Sequence, residues 1–248
     1  MSYSSFAYFY DRLQSDVDYN AIAAFIDKQV VRFGGRKGIL LDLACGTGSL
    51  CEELAKLGYD VIGTDASSEM LSAALDKKYE SGLEIQYLSQ SMTELDMFGT
   101  VDVTVCTLDS INHLDSKEDI QKAFDRVSLF AFPDGMFIFD VNTPYKHKNV
   151  LADNTFVYEL DGLYCVWQNE YDDPDGSVGI TLDFFEQGDD GSYQRYTEIF
   201  REIAPDRAEI CSMLDDAGFE ILDSFDDYTE NKDSETSSRI VFVCRKVK

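Results

Sequence analysis

The feature that most constrains the fold is an alternation of short apolar runs with amphipathic segments from residue 17 to residue 142. The apolar runs are typical of strands buried on both faces: GILLDLA, YDVIGTD, LEIQYL, VDVTVCT and MFIFDV. The segments between them have helical spacing, and Asp18, Ser67 and Ser116 are candidate N-caps. Because strands that alternate with helices require crossover connections, this pattern predicts an α/β fold with a doubly wound parallel sheet.

The pattern changes after Asn142. Residues 153–202 contain four strand-like runs without helices between them, and turns rich in aspartate and glycine join these runs. We therefore predict an antiparallel β meander at 153–202, inserted into a domain made of 1–152 and 203–248. Pro205 is predicted to begin a helix that ends at Gly218. The runs FEILDSF and RIVFVCRKV are then expected to form a terminal hairpin.

Composition narrows the range of partners. The chain has 248 residues and a net charge of −26, which disfavours binding to nucleic acid or to anionic membranes. None of its apolar runs approaches the ~20 residues of a membrane helix, and its start does not resemble a signal peptide, so we expect a cytoplasmic protein. The six cysteines form no CxxC pair, and we expect no metal.

The stretch LDLACGTGSL, residues 41–50, follows the first apolar run and indicates a nucleotide-binding turn. Gly46 and Gly48 fill two places of the dinucleotide pattern G-x-G-x-x-G, but Cys51 occupies the third. Asp65 ends the second run about 20 positions later, where a carboxylate can accept both ribose hydroxyls. These features are compatible with either NAD or S-adenosylmethionine.

Asp42 favours the second cofactor. A carboxylate next to the turn would repel a pyrophosphate, whereas S-adenosylmethionine carries an ammonium and a sulfonium group. The segment Asp42–Gly48 fits the pattern D-x-A-x-G-x-G and resembles the first motif of the class I, Rossmann-like methyltransferases that use S-adenosylmethionine. The resemblance extends over nearly the whole chain, through GTDAS at 63–67, SM at 91–92, LDSINHL at 108–114 and the N-terminal FAYFYD, and includes small bacterial cytosolic members.

This resemblance implies a seven-stranded sheet whose last strand is antiparallel. It also implies roles for the cofactor-binding residues. Asp65 would hold the ribose, Ala66, Ser91 and Met92 would meet the adenine, and Ala44, Gly46 and Gly48 would surround the methionine half. Tyr10 would close over that half, Asp42 would lie near it, and a carbonyl at Leu108 would meet the ammonium group. Family members often have aspartate where this chain has Ser91.

His113 and Asp109 are the candidate catalytic residues, because they follow the fourth run, at the sheet edge where ligands bind. A neutral His113 imidazole would take a proton from the acceptor, or it would serve only in packing. His147 is expected to be exposed. In the insert, aromatic and basic side chains would either line an acceptor pocket, with Arg195 on an acceptor carboxylate, or simply pack in the sheet: Trp167, Tyr193, Arg195 and Tyr196.

The function predicted from the sequence is S-adenosylmethionine-dependent methyl transfer to a small-molecule acceptor. In-line displacement at the sulfonium requires mainly proximity and exclusion of water, which the insert and the N-terminal segment would provide as a lid. The alternatives are a non-catalytic S-adenosylmethionine-binding protein and a nicotinamide-dependent oxidoreductase. A monomer or a homodimer is expected.

Overall fold

A seven-stranded sheet forms the centre of the protein, in a computed structural model that describes residues 6–247. Its strands are β1 (Ile39–Leu43), β2 (Asp60–Asp65), β3 (Ile85–Ser89), β4 (Val101–Cys106), β5 (Ala131–Asn142), β10 (Phe219–Asp226) and β11 (Arg239–Lys246). The strand order is β10-β11-β5-β4-β1-β2-β3, and β11 runs antiparallel to both neighbours. The predicted doubly wound sheet, its antiparallel last strand and the terminal hairpin are confirmed.

The α-helices pack mostly on the two faces of this sheet. They are α1 (Phe6–Leu13), α2 (Tyr19–Arg32), α3 (Ser49–Lys56), α4 (Ser68–Ser81), α5 (Lys117–Phe130), the single turn α6 (Pro144–Lys146) and α7 (Arg207–Asp216). The side chains of Asp18, Ser67 and Ser116 cap α2, α4 and α5, as predicted. The prediction for Pro205 is wrong: α7 begins at Arg207, because Asp206 forms a capping box with Glu209.

Successive residues of the central strands point to opposite faces and build two cores. Leu41 and Phe137 pack under α5 and α7, whereas Leu40 and Val103 pack under α2 and α3. The sheet is thus covered on both faces, and the carboxyl ends of its parallel strands form a common edge. No helix within residues 6–247 is long and apolar enough to span a membrane.

The predicted meander forms a separate four-stranded antiparallel sheet. Its strands are β6 (Thr155–Leu160), β7 (Leu163–Asp172), β8 (Ser177–Gln187) and β9 (Tyr193–Glu202), in the order β6-β7-β8-β9. The inner face packs on α1, where the rings of Phe9 and Phe184 stack with their centroids 4.8 Å apart. The domain boundaries at 153 and 202 stay a prediction.

Candidate functional site

The turn after β1 needs glycine at two positions. The φ angles of Gly46 and Gly48 are +55° and +76°, in the left-handed region that other residues reach only with strain. At Gly48 a Cβ atom would also overlap the hydroxyl group of Tyr87. Gly48 is the N-cap of α3 and packs against that ring, so its role in this turn is to let the helix start close to β3.

Asp65, at the end of β2, joins the turns that follow β1 and β2. Its Oδ2 accepts a hydrogen bond from the backbone N–H of Gly46 at 2.9 Å, and its Oδ1 accepts one from the N–H of Ser67 at 2.8 Å. Burial raises the pKa of Asp65, although these backbone hydrogen bonds favour the carboxylate. The predicted ribose-binding carboxylate is therefore held in place by the turns on either side of it.

Asp42 lies in β1 and is only 1% exposed. Its Oδ2 accepts a hydrogen bond from the thiol of Cys51 at 3.1 Å. Burial raises the pKa of Asp42 to about 7, and the nearby Asp65 carboxylate also raises it. Cys51, which stands where the dinucleotide pattern has its third glycine, thus contacts Asp42, the carboxylate that disfavours a pyrophosphate.

A cavity of about 240 Å³ opens at the carboxyl edge of the sheet. Its lining includes most of the predicted site residues: Tyr10, Ala44, Gly46, Asp65, Ala66, Ser91, Met92, Leu108 and His113. A narrow recess beside it is lined by Asp42 as well as by Tyr10, Gly46 and Leu108. Gly48 and Asp109 do not line these spaces. The structure therefore brings together the cofactor-binding residues predicted from distant segments, and their individual roles stay predictions.

Helix α1 lies over the glycine turn. Asp11 accepts a hydrogen bond from the Thr47 hydroxyl at 2.6 Å and forms an ion pair with Lys77 at 2.6 Å. The preceding residue, Tyr10, lines the cavity, and burial raises its pKa well above the ordinary value, so the phenol stays neutral. Because α1 also packs on the inserted sheet, it links the insert to the turn.

His113 also lines the cavity and lies at the end of a short 3₁₀ helix, Ser110–His113. Its Nε2 atom is 3.9 Å from Oδ2 of Asp109 and 3.8 Å from Oε1 of Glu202. The ring centroid lies 5.0 Å from that of Phe200. Two carboxylates thus lie near one nitrogen of the His113 ring.

Glu202, the last residue of β9, is a functional candidate that the sequence analysis missed. It is buried, and its Oε2 accepts a hydrogen bond from Asn142 at 2.9 Å. Burial alone would raise the pKa of Glu202, but His147, the positive charge of His113 and Asn142 together lower it to about 2. The alternation of inward and outward residues in β9 is the sequence signal that could have indicated Glu202, because this residue shares the inner face with Tyr196 and Phe200.

The expectation that His147 is exposed is wrong, since its side chain is fully buried. The Nδ1 atom lies 3.0 Å from the carbonyl oxygen of Gly176, and the Nε2 atom lies 3.4 Å from Oε2 of Glu202. Because oxygen acceptors face both nitrogens, the ring is suited to donate from both sides. His147 therefore helps to hold Glu202 in position beside His113.

The residues predicted to line an acceptor pocket lie on both faces of the inserted sheet. Arg195 lies on the outer face and forms a bidentate ion pair with Asp183, at 2.9 and 2.7 Å, so the expected contact with an acceptor carboxylate is wrong. Tyr193 is exposed. Tyr196 packs against Phe9, and the indole N–H of Trp167 donates to Asn169 at 2.7 Å, so these two side chains have packing roles.

Asp109, His113 and Glu202 each offer a ligand atom, and these atoms lie within 4.8 Å of one another. Such a group has the chemistry to hold a metal ion. Asp109, however, already forms an ion pair with Arg239 at 2.6 Å, so a guanidinium group supplies positive charge there. The absence of a metal, expected from the sequence, stays a prediction.

Comparisons with known proteins agree with this geometry. The family described as "Methyltransferase domain" matches residues 40–135, from β1 to the start of β5. A protein named as a methyltransferase in Geobacillus sp. (strain WCH70) is 35% identical, with 99% of this chain and 100% of the relative covered. A second protein so named, from Bacillus subtilis (strain 168), is 33% identical, with 100% and 98% covered.

A solved structure extends this similarity to three dimensions. The crystal structure of an S-adenosylmethionine-dependent methyltransferase from Clostridium acetobutylicum ATCC 824 superposes with a TM-score of 0.90. The two chains are 33% identical, and the match covers 99% of each. The similarity therefore includes α1 and the inserted sheet as well as the segment that carries the family match.

Proposed function

This chain belongs to the class I S-adenosylmethionine-dependent methyltransferases, and we propose that it methylates a small-molecule acceptor held between the cofactor and His113. Membership in this family makes the chain an enzyme and identifies S-adenosylmethionine as its cofactor. The nicotinamide-dependent and non-catalytic alternatives therefore do not apply. The proposal concerns the acceptor and the residues that act on it.

One observation carries the proposal: His113 lines the same cavity as Asp65, Gly46 and Leu108. An acceptor next to His113 would thus share one cavity with the cofactor. Tyr10 of α1 lines this space, and Phe200 of the inserted sheet packs against His113. An acceptor has to fit between these elements and the cofactor, and this requirement favours a small molecule.

When bound, S-adenosylmethionine would supply an activated methyl group: the acceptor atom would attack the methyl carbon in line with the sulfur, the carbon–sulfur bond would break, and S-adenosylhomocysteine would leave. The residues of the chain then have three tasks: to orient the acceptor, to exclude water and to accept a proton. We assign the last task to His113, which takes the acceptor's proton as the new bond to carbon forms. Asp109 and Glu202, at 3.9 and 3.8 Å, stabilise the resulting imidazolium.

The net charge of the chain bears on the class of acceptor. A net charge of −26 disfavours a polyanionic acceptor, so we propose that nucleic acid is not a substrate. Cytoplasmic location and a monomeric or homodimeric state belong to the same proposal.

The test measures S-adenosylhomocysteine released from S-adenosylmethionine by the purified chain. Separate reactions contain small amines, small alcohols and phenols, small thiols, purified tRNA or DNA. We expect turnover with a member of one small-molecule class and none above background with tRNA or DNA. The variant Asp65→Ala, tested in parallel, gives the background. Robust methylation of tRNA or DNA would overturn the proposed acceptor class.

A further inference from the structure

The segment that follows β4 has an unusual backbone. Leu108 and Asp109 are consecutive residues, neither is glycine, and each has a φ angle of +56°. The left-handed region is unfavourable for such residues, and strained backbone of this kind persists only where surrounding contacts hold it. Leu108 lines both the cavity and the recess that contains Asp42. The strained pair therefore lies at the cofactor site.

Asp140, in β5, makes the contacts that hold this pair. Its Oδ2 accepts a hydrogen bond from the backbone N–H of Leu108 at 2.7 Å, and its Oδ1 accepts one from the N–H of Asp109 at 2.6 Å. The carboxylate is fully buried, and the hydroxyl group of Tyr228 also donates to its Oδ2. Each carboxylate oxygen thus receives one of two successive amide protons.

The charge of this buried carboxylate is balanced. Arg239, at the start of β11, places its Nε atom 3.7 Å from Oδ1 of Asp140 and donates through Nη2 to Asp109 at 2.6 Å. The Arg239 guanidinium group therefore connects Asp140, which holds the strained pair, to the side chain of Asp109. Buried charge is retained in proteins where it is paired in this way.

The geometry of the peptide between Leu108 and Asp109 determines where the Leu108 carbonyl points. In such a peptide the carbonyl group points opposite to the N–H group. Because the N–H of Asp109 is directed at Asp140, the carbonyl of Leu108 is directed away from Asp140. Leu108 and Asp42 both line the recess beside the cavity. A carbonyl directed into a recess that also holds a carboxylate would form a suitable site for an ammonium group.

We propose that Asp140 is a positioning residue for the cofactor, because it holds the Leu108 carbonyl toward the ammonium group of S-adenosylmethionine. The inference rests on the cofactor of the proposed function and is independent of the acceptor. Asp140 lines neither the cavity nor the recess. Its effect passes through the backbone of Leu108 and Asp109, so it should concern the methionine half of the ligand and leave the adenosine half unaffected.

The test compares two ligands on the purified full chain. S-adenosylhomocysteine carries the ammonium group, whereas 5′-methylthioadenosine keeps the adenosine and lacks the amino acid part. Asp140→Asn keeps the shape of the side chain, but its NH₂ group cannot accept one of the two backbone hydrogen bonds. We expect Kd for S-adenosylhomocysteine to rise about 10- to 100-fold, the size of effect found for residues that orient metal ligands, and Kd for 5′-methylthioadenosine to change less than twofold.

Two further variants keep the test decisive. Asp183→Asn removes another buried carboxylate, on the outer face of the insert, and should leave both affinities unchanged even where it lowers stability. Tyr228→Phe removes only the hydroxyl donor to Asp140 and should weaken S-adenosylhomocysteine selectively, by about threefold. If Asp140→Asn does not fold, the selectivity of Tyr228→Phe decides the question.

The outcomes separate this inference from the proposed function. A native chain that binds neither ligand would contradict the cofactor assignment. A native chain that binds S-adenosylhomocysteine, with an Asp140→Asn variant that loses both ligands equally or loses neither, would overturn the positioning role and leave the cofactor unaffected.

Discussion

The donor side and the acceptor side of the cavity are built from the chain in different ways. On the donor side, Asp65 joins two turns that follow neighbouring strands, and its contacts are to backbone N–H groups. On the acceptor side, His113 from the segment after β4 meets Glu202 at the end of β9, in the inserted sheet. Local motifs therefore report on the cofactor, whereas the proposed acceptor chemistry would depend on long-range contacts with the insert.

The largest effect expected from this difference is in His113→Asn. The variant removes the proposed proton acceptor, and general-base catalysis is worth about 10²- to 10⁴-fold in rate. We expect kcat to fall by that factor with an acceptor found in the small-molecule panel, while Kd for S-adenosylhomocysteine changes less than twofold. Steady-state kinetics and isothermal titration calorimetry measure the two quantities.

The comparison would fail if His113→Asn weakened cofactor binding as strongly as it slowed turnover, because His113 would then serve both sides of the cavity. Unchanged turnover would instead give His113 the packing role that its contact with Phe200 also allows.

Glu202→Gln tests how the acceptor side is held together. Removing the charge from one member of a buried ion pair leaves its partner uncompensated, and this typically costs about 3–5 kcal/mol of unfolding free energy. The control is Glu230→Gln, because Glu230 forms an exposed ion pair with Lys28, and such pairs contribute about 0–1 kcal/mol. Urea unfolding monitored by circular dichroism measures both variants.

The contribution of Glu202 to the unfolding free energy should decrease as the pH falls. The folded-state pKa of Glu202 is lowered from 4.5 to about 2, so its stabilisation is complete above pH 4.5 and is lost as the pH falls toward 2. The native chain and Glu202→Gln should therefore converge in stability over this window. A difference between them that did not change from pH 6 to pH 2 would contradict the charged state of Glu202.

Much of the fold and of the donor side could be predicted from the sequence, for a physical reason. The alternation of apolar runs with helical segments determines the parallel sheet. Each predicted N-cap side chain accepts a hydrogen bond from an N–H group only three residues further along the chain. Asp42, Gly46 and Cys51 come from one short stretch, so their chemistry is visible in the order of the residues. The structure then adds the contact between Cys51 and Asp42, at 3.1 Å.

The acceptor side could not be predicted in this way. The alternation of β9 puts Glu202 on the same face as Tyr196 and Phe200, but alternation alone does not show what covers that face. The burial of Glu202 and His147 results from contacts between the insert and the segments after β4 and β5. A lone histidine next to two lysines suggests solvent exposure, and only the tertiary contact of His147 with Glu202 shows otherwise.

On the donor side, we expect cofactor affinity to depend on the protonation of Asp42. Because burial raises its pKa to about 7, the carboxyl is increasingly protonated below pH 7 and has to release that proton before it pairs with an ammonium group. Kd for S-adenosylhomocysteine should rise as the pH falls from 7 to 5.5, approaching tenfold per pH unit. Titration calorimetry at several pH values measures this slope.

The matched variant is Asp42→Asn, which should bind more weakly at pH 7 and lose most of the slope. If the slope persisted in Asp42→Asn, another group near the recess would carry it, and Asp65, whose pKa burial also raises, would be the first to examine.

The smallest effect concerns the predicted adenine end of the donor side, where the family resemblance implies an aspartate and this chain has Ser91. Ser91 lines the cavity, and its hydroxyl lies 3.3 Å from that of Thr93. Ser91→Asp should lower Kd for both S-adenosylhomocysteine and 5′-methylthioadenosine by about fivefold, because a charged acceptor strengthens a hydrogen bond by about 1 kcal/mol. Ser89→Asp, which adds the same charge at an exposed position of β3, controls for a general effect of charge. Equal changes in the two variants, or none in Ser91→Asp, would show that adenine recognition at this site does not pass through residue 91.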